Sequence, residues 1–144
     1  MILRKIKRQD IPHASKIVEL NYSKKWKRHV TNEIRETFGN CVLKPEYVVA
    51  EDKGKIIGFA GYSQSWINYH IYNIFWVNVD IKYQRRGVGK LLIKNILKRL
   101  KSKTGDNKAN MILLTAKSPE YYKKFGFKIL NEFKEKDYLM ALNL

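Results

Sequence analysis

At 144 residues the chain has the size of one domain, residues 1–144, long enough to bury a core without covalent staples. Its 44% hydrophobic and 12% aromatic content excludes a disordered tail, and its single cysteine, Cys41, excludes an internal disulfide or a cysteine-built metal site. No apolar run approaches the roughly 20 residues that cross a membrane, and residues 1–8 lack the apolar core of a secretion signal. The expectation is a soluble, cytoplasmic protein.

Charge is the strongest bias. Lys and Arg number 29 against 13 Asp and Glu, a net charge of +16. Residues 82–108 hold ten basic residues and one acid, Asp106. Such a surface attracts phosphate-bearing coenzymes or nucleic acid, although most lysine runs are solvated faces. It is poorly suited to steering basic peptide tails unless a local acidic patch exists.

In chain order, residues 2–7 read as a strand. A helix follows over 10–22, with Asp10 as N-cap, Pro12 in the first turn and Ile11, Ala14, Ile17 and Val18 at helical spacing. The basic run Ser23–Arg28 reads as a connection, and a second helix is expected near 30–38, capped by Thr31 or Asn32 and stopped at Gly39-Asn40. Strands at 46–51 and 55–65 flank the turn Asp52-Lys53-Gly54. The apolar run Ile71–Val79 suits a central strand covered on both faces. A helix over 88–103 repeats apolar residues at 88, 91, 92, 96 and 100. Strand 111–116, helix 118–124 and a closing hairpin of 127–133 with 137–143 complete the chain.

Between strand 71–79 and helix 88–103 lies Gln84-Arg85-Arg86-Gly87-Val88-Gly89-Lys90. A strand that hands over to a helix N-terminus presents free N–H groups and the positive end of the helix dipole. That suits a phosphorylated ligand. A dinucleotide fingerprint would need glycine where Leu92 stands, and a nucleotide-triphosphate loop would need Ser or Thr where Leu91 stands. What remains is the pattern Gln/Arg-x-x-Gly-x-Gly/Ala, and a second block follows it. Met111–Ala116 leads into Ser118-Pro119-Glu120-Tyr121-Tyr122-Lys123-Lys124-Phe125-Gly126-Phe127, ending in Tyr-x-x-x-Gly-Phe. Together these blocks resemble the GCN5-related N-acetyltransferase (GNAT) family, and the element order βααβββαβαββ agrees along the whole chain.

The resemblance implies an α/β (α+β) fold, a mixed, mostly antiparallel twisted sheet flanked by helices. It implies an N-acetyltransferase that moves an acetyl group from acetyl-coenzyme A directly to a primary amine. By that likeness Arg85, Arg86, Gly87, Val88, Gly89 and Lys90 grip the pyrophosphate. The main chain of Val77, Asn78 and Val79 pairs with the pantetheine arm. Thr115 or Ser118 stands where the family often has a cofactor-contacting Asn, and Tyr122 is the general acid, with Tyr121 expected to pack. No metal is implied. The general base is not evident: Asn73 and Asn78 occupy the strand where many members carry a carboxylate, Asp80 is expected to serve the loop, and His70 reads as a strand-end residue. Cys41 is not implied as a nucleophile.

The acceptor stays open between a peptide N-terminus, a lysine, a polyamine and a small drug-like amine. Tyr22, Trp26, Trp66, Tyr69 and Tyr138 suggest aromatic walls for it. Homodimers are common for this fold, without a specific signal here. Two competing readings are a basic nucleic-acid or ribosome-associated module, which lacks zinc-finger spacing or an RNP motif, and a sensor that binds acetyl-coenzyme A without turnover.

Overall fold

Long runs of Val, Ile and aromatic residues between turn signals dominate the middle of the chain, and they form its sheet. The computed structural model describes all residues, 1–144. Its strands are β1 (Ile2–Lys5), β2 (Glu46–Asp52), β3 (Lys55–Gln64), β4 (Ile71–Val79), β5 (Met111–Ala116), β6 (Lys128–Phe133) and β7 (Asp137–Asn143). They make one seven-stranded sheet in the order β1-β2-β3-β4-β5-β7-β6. All neighbours are antiparallel except β4 and β5, which run parallel. The helices are α1 (Ile11–Asn21), α2 (Lys24–Arg35), α3 (Val88–Lys101) and α4 (Pro119–Lys123). None is long and apolar enough to cross a membrane.

Each face of the sheet buries its own core. On one face α3 packs Leu92, Ile93, Ile96 and Leu100 against Ile57, Ile112, Phe127 and Met140. On the other, Ile17 and Val18 of α1 and Val30 and Ile34 of α2 cover Tyr47, Val49 and Phe59. Covered from both sides, β3 buries every residue from Ile56 to Tyr62. This explains why its sequence shows no polar alternation.

Two local readings need correction. The run Ser23–Arg28 is not a connection: Ser23 is the N-cap of α2, its hydroxyl accepting from the Trp26 N–H at 3.5 Å, and the helix begins at Lys24. Thr31 lies inside that helix, where its hydroxyl donates to the Lys27 carbonyl and meets Ser15 at 2.7 Å. Asp10 precedes α1 as expected but does not cap it. Its buried carboxylate turns back to accept from the Lys7 N–H at 2.7 Å and from both terminal nitrogens of Arg4 at 2.7 and 3.1 Å. Burial works to raise the Asp10 pKa, but the bonds from Arg4 and Lys7 outweigh it and hold the carboxyl below its usual range.

What positions the site is the behaviour of β4. It pairs with β5 only from Ile71 to Asn73, opposite Met111 to Leu113. Beyond that point the two strands separate. On its other side β4 carries a bulge: Phe59 faces Asn78 and Gly61 faces Phe75, so Trp76 and Val77 together oppose Ala60. Trp76 adopts φ +53, a left-handed conformation uncommon for a residue other than glycine. Gly61 makes this corner possible. A β-carbon there would lie 2.5 Å from the Phe75 ring and 2.6 Å from the Tyr47 ring. Gly61→Val is therefore expected to destabilise the fold by about 3 kcal/mol, the upper end of overpacking costs. Urea denaturation checks this, and an unchanged midpoint would mean that the corner yields easily.

Candidate active site

The loop between β4 and α3 is built for an anion. Asp80 ends the strand with its carboxylate accepting from the Lys82 N–H at 2.9 Å, and the Gln84 amide donates to the Val79 carbonyl at 3.1 Å. These bonds fix the loop to the sheet. Arg85 (φ +62) and Gly87 (φ +82) both take left-handed conformations, and Gly87 is the N-cap of α3. A β-branched residue at Gly87 would be strained there. The first helical bond runs from the Leu91 N–H to the Gly87 carbonyl at 3.0 Å. The N–H groups of Arg85, Arg86, Gly87, Val88, Gly89 and Lys90 have no partner in the chain. Six consecutive free donors at a helix N-terminus have the geometry that suits an anion. Above the loop, the Arg86 guanidinium lies 5.4 Å from the centre of the Tyr83 ring.

The loop opens onto the gap between β4 and β5, a cleft of about 940 Å³. One wall is the free edge of β4, including Val77 and Asn78, and the other includes Thr115 and Ser118. Val77 and Val79 turn their side chains to the α3 core; Val77 lines the cleft, whereas Val79 lies outside its lining and its carbonyl is taken by the Gln84 and Asn21 amides. Asn78 is 4% exposed, and its side-chain oxygen accepts from Asn21 of α1 at 3.1 Å. The Asn21 amide also reaches the Val79 carbonyl at 3.0 Å, tying α1 to the end of β4. A second cavity of about 500 Å³ meets the cleft at Tyr22, Val77 and Asn78, and extends to Gly89.

Tyr121 and Tyr122 project from α4 into both cavities. Tyr122 is held edge-on between Tyr121, 5.1 Å between ring centres, and the buried Phe127, 6.1 Å away. Burial, then the neighbouring Tyr121 and Tyr22, pushes its hydroxyl pKa up to about 12. Tyr121 does more than pack. A β-carbon on Gly89 would lie 3.0 Å from its hydroxyl, so that oxygen sits over the first turn of α3.

The remaining candidates divide. Tyr22 lines the cleft. Trp26 packs edge-on against Trp76, and Trp66 and Tyr69 lie exposed in the β3–β4 loop. Tyr138 pairs opposite Ala116 and packs on the α3 core. His70 contacts the Lys108 carbonyl through Nδ1 at 2.7 Å, a strand-end tie. Three features escaped sequence reasoning: Asp137 as the one carboxylate lining the cleft, Glu33 as the acceptor of the Trp76 indole N–H, and Trp76 itself as the bulge residue. Their positions depend on pairing across the sheet. The sole local clue was Asp137 at the mouth of the last hairpin.

Five tyrosines (Tyr47, Tyr62, Tyr72, Tyr121 and Tyr122) have hydroxyls whose pKa is raised above 10, in each case first by burial. Below pH 10 folded and unfolded chains both hold these protons. Above it the unfolded chain releases them first, so stability falls as pH rises from 10 toward 12. The urea midpoint should drop between pH 9 and 11, with tyrosinate absorbance lagging until the chain unfolds. Free ionisation at pH 10 in the folded protein would contradict this burial.

Residues 44–129 match the family model described as an Acetyltransferase (GNAT) domain. Among solved structures, an acetyltransferase assigned to the GNAT family from Desulfovibrio desulfuricans has a TM-score of 0.83 at 17% identity, covering 99% of this chain and 98% of that one. An aminoglycoside 6'-N-acetyltransferase complexed with coenzyme A has a TM-score of 0.79 at 17% identity, with 99% and 97% covered. A GNAT-family acetyltransferase from Brucella melitensis in complex with acetyl-CoA has a TM-score of 0.73 at 21% identity, with 99% and 87% covered. No curated protein matches the sequence.

Proposed function

The chain belongs to the GNAT family of acetyltransferases, and from that premise we propose that it transfers the acetyl group of acetyl-coenzyme A to a primary amine. The observation that carries this reading is the row of free N–H groups from Arg85 to Lys90 at one end of the β4–β5 cleft, with Tyr122 in that cleft. The row receives the pyrophosphate, with Arg85, Arg86 and Lys90 adding positive charge. The free edge of β4 at Val77 and Asn78 receives the pantetheine amides as an added strand would, while the Val79 carbonyl is already held by Asn21 and Gln84. Thr115 and Ser118 face it from the opposite wall. That a GNAT relative from Brucella melitensis is in complex with acetyl-CoA supports the choice of donor.

Transfer needs an orientation, a donor for the carbonyl oxygen and a path for protons. The neutral amine attacks the thioester carbon. A carbon–nitrogen bond forms, the carbon–sulfur bond breaks, and one amine proton leaves while the sulfur gains one. Tyr122 supplies the proton to sulfur. A buried phenol is a weaker acid than a free one, but burial raises the basicity of the departing thiolate for the same reason. Tyr122 thus stays protonated across the working pH range. Asp137, the carboxylate lining the cleft, is placed to hold the incoming ammonium as it loses its proton.

Release of free thiol from acetyl-coenzyme A with a panel of primary amines tests the activity. Amine-dependent thiol release is expected. Tight binding of acetyl-coenzyme A without release for any amine would instead mark a sensor.

A further inference from the structure

The chain carries +16, yet one cavity beside the cleft is acidic. It has a volume of about 430 Å³ and is lined by Glu33 and Glu36, with no lysine or arginine. Phe75 and Trp76 line both this cavity and the cleft, so the two meet at the bulge in β4. Neither glutamate forms an ion pair, although basic residues outnumber acids by 29 to 13. Glu33 accepts only the Trp76 indole N–H, which leaves lone pairs of its carboxylate facing the cavity.

The third polar group is Tyr47. It is 2% exposed, lines the same cavity, and its hydroxyl has no hydrogen-bond partner. Its pKa is raised by burial and then by the nearby charge of Glu33. The hydroxyl makes no hydrogen bond within the chain and is open to the cavity, so a ligand there can pair with it. The rings of Tyr47, Phe75 and Trp76 line the cavity beside Leu43 and Pro45, and aromatic faces favour a cation.

Resting on the acetyltransferase reading, we infer that this cavity binds a second ammonium of the acceptor, so that the substrate class is a diamine or larger polycation. One amine reaches the cleft past Trp76 while the other is held by Glu33, Glu36 and Tyr47. The acidic pocket also removes the conflict between a strongly basic surface and a cationic substrate. Cations are repelled by most of the surface and accepted at this one entrance. A peptide N-terminus without a second positive charge leaves both carboxylates unpaired and binds poorly.

Calorimetry on the protein saturated with coenzyme A, with hexamethylenediamine and hexylamine as probes, tests this. The diamine should bind about tenfold or more tighter than the monoamine, as one charge-assisted hydrogen bond implies. Glu33→Gln and Glu36→Gln should each reduce that preference, and the double variant should abolish it. Tyr47→Phe should weaken the diamine alone. All should bind coenzyme A as the parent protein does, which also shows that they fold. Equal affinity for the two probes, no binding of the diamine, or a preference that survives the double variant would each overturn the inference. If coenzyme A fails to bind while the diamine preference holds, the acetyltransferase reading falls and the cation site stands.

Discussion

Tyr122→Phe is expected to lower kcat for amine acetylation by about 100-fold or more, within the range for a lost general acid. Affinity for acetyl-coenzyme A should change less than about twofold, because the phenyl ring alone keeps the packing against Tyr121 and Phe127. The expectation rests on the position of the hydroxyl in the cleft and on the burial that keeps it protonated. With a pKa pushed up to about 12, Tyr122 should impose no alkaline limb on the rate below about pH 11. Tyr121→Phe provides the comparison. Its hydroxyl lies over Gly89 at the phosphate end, so its removal should weaken coenzyme binding more than it slows turnover. If Tyr122→Phe turns over at the parent rate, protons reach the sulfur by another route.

Gly89→Val is expected to weaken acetyl-coenzyme A binding by about 100-fold, equivalent to losing one or two charge-assisted hydrogen bonds. A β-carbon at this position already meets the Tyr121 hydroxyl at 3.0 Å and a Val79 methyl at 3.8 Å. The two methyl groups beyond it would occupy the space in front of the free N–H row. Gly89→Ala should lose far less, since the neighbour at 3.0 Å is the far end of a side chain that can swing. Fold stability should change by less than about 1 kcal/mol, because valine is no worse than glycine within a helix. Calorimetry separates binding from folding here. A valine variant that binds acetyl-coenzyme A normally would remove the loop from the phosphate site.

Elements with an unbroken period were legible in the sequence. Strands β4, β5 and β7 begin and end where alternation and turn residues put them. The handover from β4 to the N-terminus of α3 was legible too, because glycine spacing and a following amphipathic helix are local signals. Helix α2 was half hidden: Trp26 is the one apolar residue of Lys24–Arg28, and only Val30 and Ile34 of this helix are buried. Its apolar stripe of Trp26, Val30 and Ile34 keeps helical spacing but is thin among basic residues, which made the first turn read as a connection. The bulge at Trp76 could not be read, since it depends on the absent side chain of Gly61 on the neighbouring strand. That bulge shifts which residues of β4 face each side and brings Trp76 to Glu33, 43 residues away in sequence. The donor half of the site is therefore written in local motifs, while the acceptor half emerges from tertiary pairing.

In the proposed function, the N-terminus of α3 and the gap between β4 and β5 form one site for acetyl-coenzyme A. Calorimetric titration of the intact protein with acetyl-coenzyme A tests it most directly. One molecule per chain should bind with a dissociation constant at or below about 1 mM, the upper end of ordinary enzyme–substrate affinities. The affinity should fall as salt rises, because the contact is largely phosphate on basic groups. An absence of heat at millimolar ligand, confirmed by an unshifted melting temperature, would contradict the claim.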